Sequence, residues 1–256
     1  MIKRAGPAMD NYEFCANYAA SHLPPGARVL DYGCGGGRIV TLLRARGFEA
    51  VGCDVFFEGG DASAEIAPGE VGKSIFRMEG DEIPFRDSYF DFVINNQVLE
   101  HVADLDAVVS EIARVLKPGG TVLSLFPDKG VWWEGHSHVP FLHWFPKGSR
   151  FRVNYAQLVR ICGGGSFKKN KSRRQWAKDF CVWLDRWTYY RSRAEIKAAF
   201  SRHLSRPLHL ESEWMEARLG SRVRPVPPVI RSLITRKLGG LIFVASKPGE
   251  GIAVSP

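Results

Sequence analysis

Between residues 28 and 126, short apolar runs alternate with stretches of helical periodicity, and this alternation restricts the chain to few folds. Residues 28–31 (RVLD), 50–54 (AVGCD), 74–78, 90–95 (FDFVIN) and 121–126 read as strands. The run at 90–95 is almost continuously apolar, which suits a parallel strand buried on both faces. Residues 10–22, 38–46 and 104–116 read as helices. The first ends at Pro24-Pro25-Gly26, the second at Gly47, and the third at Lys117-Pro118-Gly119-Gly120. Strand, helix, strand in this order predicts βαβ units and an α/β architecture built on a parallel sheet.

The alternation breaks after Phe126. Residues 127–191 are aromatic and basic, and they contain Gly163-Gly164-Gly165 followed by the basic run FKKNKSRRQWAK. Residues 175–190 keep helical spacing, with Trp176, Phe180, Trp183, Leu184 and Trp187 on one stripe. That stripe is read first as a face packed on the sheet domain, and second as a lid or an interfacial membrane helix. From residue 192 the α/β rhythm returns, with a helix at 193–203 and strands at 207–211 and 241–246. The chain therefore divides into 1–126, an inserted segment 127–191, and a returning part 192–256 with a second insertion at 214–239.

Charge follows the same division. Residues 1–126 hold 11 Lys and Arg against 18 Asp and Glu, a net −7, whereas residues 127–256 hold 24 against 9, a net +15. All seven tryptophans fall in the second half. Two halves of opposite charge meet different partners, or one partner through different chemistry. The opening residues MIKRAGPAMD lack the apolar stretch of a secretory signal, and no run approaches membrane-spanning length. The five cysteines show no CxxC spacing, so they are read as free thiols of a reducing, cytoplasmic compartment, with no zinc or other metal site.

The first strand runs into VLDYGCGGGRI, where four glycines fall within five residues. A strand-to-helix turn gathers backbone N–H groups and the positive helix end at one point, and glycine lets a ligand approach the backbone. A dinucleotide fingerprint needs glycine at position 38, where Arg38 stands. The pattern is instead D-x-G-x-G-x-G from Asp31 to Gly37, and an acid before the turn favours a ligand with a positive group over a pyrophosphate. Asp54 ends the next strand, where an acid can accept both hydroxyls of a ribose. Each acid alone is also an ordinary turn or cap residue.

The segments VLDYGCGGG, VGCD, IPFRDSYFDFVINNQVLEHV and EIARVLKPGGTVL together resemble the class I methyltransferases that use S-adenosylmethionine, particularly the small-molecule branch. The resemblance covers roughly 10–126 and, more loosely, 192–247. It implies a Rossmann-like, mostly parallel seven-stranded sheet with helices on both faces, here carrying a helical aromatic and basic insertion after the fifth strand. It implies that Gly33, Gly35 and Gly37 form the cofactor turn, that Asp31 places the ammonium group, and that Asp54 holds the ribose. The acid that reads adenine is Asp81, which follows a glycine, or Glu79, by its distance before Pro84. Asn95 lines the cofactor near the reacting centre, and Glu100-His101 is scaffolding for the loop.

Methyl transfer from a sulfonium is an in-line displacement in which positioning and exclusion of water matter most. A hydroxyl acceptor also calls for a base. The segment leaving the fifth strand supplies His136, His138 and His143 beside Trp132, Trp133 and Trp144. His136 is the candidate base, with His138 or His143 behind it, against the alternative of three histidines in an aromatic core. The expected acceptor is a small molecule or an anionic sugar or lipid-linked glycan, methylated on oxygen, with peripheral contact at the inner membrane face. RNA methylation is the alternative within the class. The rivals outside it are an NAD(P)-dependent oxidoreductase and a non-catalytic scaffold of the same fold.

Overall fold

The computed structural model describes residues 9–168 and 170–249. The first helix, α1 (Asn11–His22), is capped by Asp10, whose carboxylate accepts from the Glu13 N–H. Then β1 (Arg28–Tyr32), α2 (Arg38–Arg44), β2 (Glu49–Asp54), β3 (Ile75–Arg77), β4 (Phe90–Asn96), α3 (Leu105–Val115) and β5 (Leu116–Phe126) complete the first half. Strands β1 to β5 pair in parallel in the order β3-β2-β1-β4-β5. Val29, Leu30, Phe90, Val93, Ile94, Val122 and Leu123 are all fully buried, as a sheet covered on both faces requires. Helix α3 lays Leu105, Val108, Val109 and Ile112 on one face of that sheet, while α1 and α2 cover the other.

The start of the fifth strand differs from the sequence reading. Lys117-Pro118-Gly119-Gly120 does stop α3, but β5 begins at Leu116 rather than at Thr121, and Leu116 pairs with Phe90 across a bulge. The loop is held from the other side as well, because the Gly119 N–H donates to the Lys247 carbonyl and the Lys247 N–H to that of Gly120. A Cβ on Gly120 would stand 2.9 Å from the Lys117 carbonyl oxygen, so this crossing tolerates no side chain.

After β5 the chain forms a cap. A two-strand hairpin, β6 (Trp133–Glu134) and β7 (Val139–Pro140), precedes α4 (Arg150–Ile161) and α5 (Arg173–Trp187). The cap has its own core of Val139, Leu142, Ala156, Trp176, Ala177 and Leu184. Arg152, almost fully buried, pairs there with Asp185. The aromatic stripe on α5 therefore divides. Trp176 and Leu184 point into the cap, and Trp183 and Trp187 turn toward the sheet domain, where the Trp183 indole N–H donates to the Gly59 carbonyl at 3.0 Å. Arg186 adds a salt bridge to Glu58 on the same loop.

The chain returns through α6 (Arg193–His203), opened by a capping box between Ser192 and Glu195. Next come β8 (Leu208–His209), α7 (Glu211–Leu219), α8 (Pro228–Leu238) and β9 (Leu241–Ser246). Strand β9 lies antiparallel between β5 and β8 and completes a seven-stranded sheet. Strand β8 is shorter than the sequence suggests because Glu211 belongs to α7. Its buried carboxylate pairs with Arg236 of α8 and with His209. The cap and the α7–α8 pair thus occupy the two places where the apolar rhythm of the sheet lapses.

Trp176 is the largest fully buried side chain of the cap, and its indole N–H donates to the Ser166 carbonyl. Trp176→Ala should cost about 4 kcal/mol of stability, read by urea unfolding. A loss below about 1 kcal/mol would mean that the cap core contributes little.

Candidate functional site

The sheet's carboxyl ends open into one cavity of about 1210 Å³ between the glycine turn and the cap. Its floor starts at the turn after β1, where the N–H groups of Gly33 and Cys34 both donate to the Cys53 carbonyl. Gly33, Gly35 and Gly37 all take positive φ, but they serve different ends. A Cβ on Gly33 would fall 2.4 Å from Val98, and one on Gly37 would fall 2.8 Å from Ile75. These two glycines admit neighbouring side chains, and Gly37, at the start of α2, does not line the cavity. At Gly35 the nearest atom would be 3.6 Å away, so this is the glycine that leaves room for a ligand.

Asp31 stands one residue before the end of β1, opposite Gly52, and Asp54 ends the adjacent β2; both line the cavity. Asp54 accepts from the Gly35 N–H at 2.8 Å and from the Phe56 N–H at 2.7 Å, so its carboxylate is fixed at the mouth of the turn. Burial pushes the Asp31 carboxyl well up, and the charge of Asp54 adds to the effect. Two acids facing one cavity suit a ligand that brings a cation and hydroxyl donors. S-adenosylmethionine, with its ammonium, sulfonium and ribose, fits that donor set.

The remaining predicted cofactor residues separate. Asp81 lines the cavity, whereas Glu79 is exposed and does not. Asn95 is fully buried within the sheet, where its amide donates to the Ser124 hydroxyl at 2.8 Å. Strand register decides this, since Asn95 sits opposite Ser124 on β5. The next two residues, Asn96 and Gln97, line the cavity in its place. Tyr12 and Arg38, stacked at 4.6 Å, cover the turn from α1 and α2, and nothing in the local motif marks Tyr12.

The opposite wall belongs to the cap. His136 projects from the β6–β7 turn, and its Nδ1–H donates to Glu134 Oε1 at 2.7 Å. Glu134 is completely buried, and its carboxylate also accepts from the N–H groups of His136 and Ser137 and from the Tyr190 hydroxyl. Nε2 of His136 stands 3.2 Å from Nε2 of His101. The Nδ1–H of His101 donates to the Trp187 carbonyl at 2.7 Å. Both rings line the cavity, and Phe57, Phe180, Trp183 and Trp187 surround them. His101 therefore belongs to the site as well as to the scaffold. Its partner lies 35 residues away, a distance no motif spans. His138 reaches the cavity edge and its Nδ1 contacts the Ser166 hydroxyl at 2.7 Å. His143 is buried against the Tyr190 ring, away from the cavity.

Electrostatics sort these groups. Burial alone would raise the Glu134 carboxyl, but hydrogen bonds and the charge of His136 prevail and hold it at about 2. Burial works against a charged His136 too, yet Glu134 raises its pKa above the usual imidazole value. His101 is pushed by burial down to about 4, and the Trp187 carbonyl offsets only part of this. Burial carries Glu100 up to about 7. The arrangement is an oriented imidazole backed by a buried carboxylate, beside a neutral imidazole, facing a cavity whose far end is lined by acids and bare backbone.

The chain is similar to known methyltransferases in sequence and in fold. Residues 30–124 match the family profile described as a methyltransferase domain. The chain is 34% identical over 142 residues to a ubiquinone biosynthesis O-methyltransferase of Chelativorans sp. (strain BNC1), covering 53% of this chain and 54% of that one. It is 29% identical over 164 residues to the enzyme of that name from Rhizobium etli (strain CIAT 652), covering 57% and 61%. The chain thus spans about half the length of the curated relatives it matches. Among solved structures, the S-adenosylmethionine-dependent methyltransferase of Mesorhizobium loti superposes with a TM-score of 0.52 at 16% identity, covering 92% of this chain and 98% of that one. A SAM-dependent methyltransferase of Methanosarcina mazei gives 0.51 at 18% identity, covering 94% and 100%. These two likenesses are of fold.

The Glu134–His136 pair should show itself in stability against pH. The depressed carboxyl contributes fully above its ordinary 4.5 and loses its contribution as pH falls toward about 2. The raised imidazole contributes fully below 6.5 and loses its contribution as pH rises through its elevated value. Glu134→Gln should therefore cost about 3 kcal/mol near pH 6, and the cost should shrink as pH is lowered from about 4.5 to about 2. Urea unfolding across that range measures it, and a cost independent of pH would remove the ion pair from the account.

Proposed function

We propose that the protein, whose residues 30–124 match a methyltransferase domain, is a class I, S-adenosylmethionine-dependent enzyme that methylates a hydroxyl oxygen of a small-molecule acceptor. The observation that carries this reading is that one cavity has the glycine turn with Asp31 and Asp54 at one end and His101 and His136 at the other. The relatives named as O-methyltransferases support oxygen as the acceptor atom. S-adenosylmethionine, when bound, supplies a methyl group already activated on its sulfonium. The chain's own residues then hold and orient. Asp54 accepts the ribose hydroxyls, Asp31 faces the ammonium group, Asp81 reads the adenine amino group, and the backbone at Gly35 leaves the space they need. His136 receives and activates the acceptor hydroxyl, with Glu134 fixing its ring so that Nε2 faces the cavity. Trp183, Trp187 and Phe57 keep water out of the space between.

A second, finer reading concerns where the acceptor resides, and one surface favours it. Helix α8 exposes Val229, Ile230, Leu233, Ile234 and Leu238 along its length. No acid occurs from residue 217 to 249, while Arg222, Arg224, Arg236 and Lys237 lie in the same segment. A second cavity of about 460 Å³ runs beside Leu238 and Trp133 and shares Gln97, Gly135 and His138 with the main one. An amphipathic basic helix of this kind suits the surface of an anionic bilayer. A lipid-borne acceptor would then reach the histidines through the smaller cavity. Among the described residues no helix is long and apolar enough to cross a membrane.

Calorimetric titration with S-adenosylhomocysteine should show micromolar binding and none with NAD. Asp54→Ala should weaken it at least about 10-fold. His136→Ala should leave that affinity intact and lower turnover by about 10²-fold or more. Binding of NAD alone would overturn the cofactor reading, and full turnover in His136→Ala would remove the histidine from the reaction. For the membrane reading, the protein should float with anionic vesicles and lose most of that binding in Leu233→Glu; equal recovery of both proteins without vesicles would refute it.

A further inference from the structure

The two Nε2 atoms of His101 and His136 pose a problem of charge. Each ring has committed its Nδ1–H, to the Trp187 carbonyl and to the Glu134 carboxylate. Each Nε2 therefore presents a lone pair, and the two lone pairs face one another across 3.2 Å. Such a pair is stable only with something positive between them, either a proton or a metal ion. The separation fits the metal. Two imidazoles at about 2.0–2.1 Å from a tetrahedral ion stand about 3.3 Å apart. The Nδ1 hydrogen bonds are the outer-sphere contacts that orient metal-bound histidines.

Glu100 separates the two cases. It follows β4, is only 2% exposed, and its Oε2 has no hydrogen-bond partner among the described residues. A shared proton between the rings would leave that atom orphaned. A cation would not, because one ligand atom each from Glu100, His101 and His136 all lie within 4.8 Å of one another. We propose that Glu100, His101 and His136 form a binding site for a single zinc-class divalent ion, with an open position toward the cavity.

Two imidazoles and one carboxylate select a borderline transition metal over magnesium or calcium, which prefer oxygen. Glu134 carries a second buried negative charge behind His136, so the ion and the two carboxylates balance. Three protein ligands and one vacancy facing a substrate cavity is the composition of a catalytic rather than a structural zinc site. A hydroxyl taking that vacancy as a ligand becomes more acidic. With the ion bound, His136 Nε2 is a ligand and no longer the base, so activation of the acceptor hydroxyl passes from the imidazole to the ion; that role rests on the function proposed above, whereas binding of the ion does not. No ligand spacing announces the site in the sequence, because Glu100 and His101 come from the sheet domain and His136 from the cap.

The test uses the full chain stripped with chelator, in a Cys162→Ser background that removes the exposed thiol. Zinc titration by calorimetry should give one equivalent bound at micromolar or tighter affinity. Cobalt should give the visible absorption of a four- or five-coordinate ion. His136→Ala and Glu100→Gln should each weaken zinc about 100-fold, and Glu134→Gln about 10- to 100-fold. His22→Ala, on the exposed end of α1, should change nothing. Titration of the same variants with S-adenosylhomocysteine reports folding and the cofactor reading separately. Absence of stoichiometric zinc, or affinity indifferent to His136 and Glu100, would overturn the site and leave a shared proton between the rings.

Discussion

A single buried carboxylate organises the far wall of the cavity. Glu134 accepts four hydrogen bonds, from the His136 ring, the His136 and Ser137 backbone, and the Tyr190 hydroxyl. An unpaired charge at that depth would be prohibitive, so these donors are obligatory. In meeting them the chain closes the β6–β7 turn and ties it to Tyr190, at the far end of the insertion. It also fixes the plane of the His136 ring. His101 then meets that ring from the sheet side, and the aromatic residues of α5 fill the space around both. Removing the charge would leave three elements without a common point of attachment.

The sheet domain was legible because its signals are local. The strand VLD, the glycine turn and the strand VGCD each announce themselves within ten residues, and the placement of Asp31 and Asp54 at the same end of the sheet follows from the parallel pairing of β1 with β2. The finer errors came from packing. Asn95 looks like a residue of the site, yet register buries it against Ser124 and hands the cavity to Asn96 and Gln97. Gly37 looks like a ligand contact, yet its missing side chain makes room for Ile75 and it does not line the cavity, whereas Gly33 both lines the cavity and makes room for Val98. Glu79 and Asp81 are two residues apart, and the chain turns only the second toward the cavity.

The cap was legible as a change of composition and as the one helix at 175–190, which forms as α5. Its histidines could be named but not sorted, because sorting depends on contacts between residues far apart in sequence. His136 meets His101, His138 meets Ser166, and His143 packs on Tyr190. The tryptophan stripe was equally ambiguous, since one helix face serves two purposes: Trp176 holds the cap together, and Trp183 and Trp187 line the cavity. The charge asymmetry between the halves has a physical counterpart here. Asp31, Asp54, Glu65 and Asp81 of the first half line the cavity, while much of the basic excess lies in the cap and in α8.

The contact between α5 and the loop after β2 has a consequence for how the two ends of the cavity communicate. Trp183 donates to Gly59, Arg186 pairs with Glu58, and Trp187 packs on Phe57. The same helix backbone, at Trp187, holds His101 in place. The wall beside Asp54 and the wall beside the histidines are therefore parts of one latch. A ligand that ordered this contact from either end would lower the ordering cost left for the other, and such a coupling would be equal in both directions.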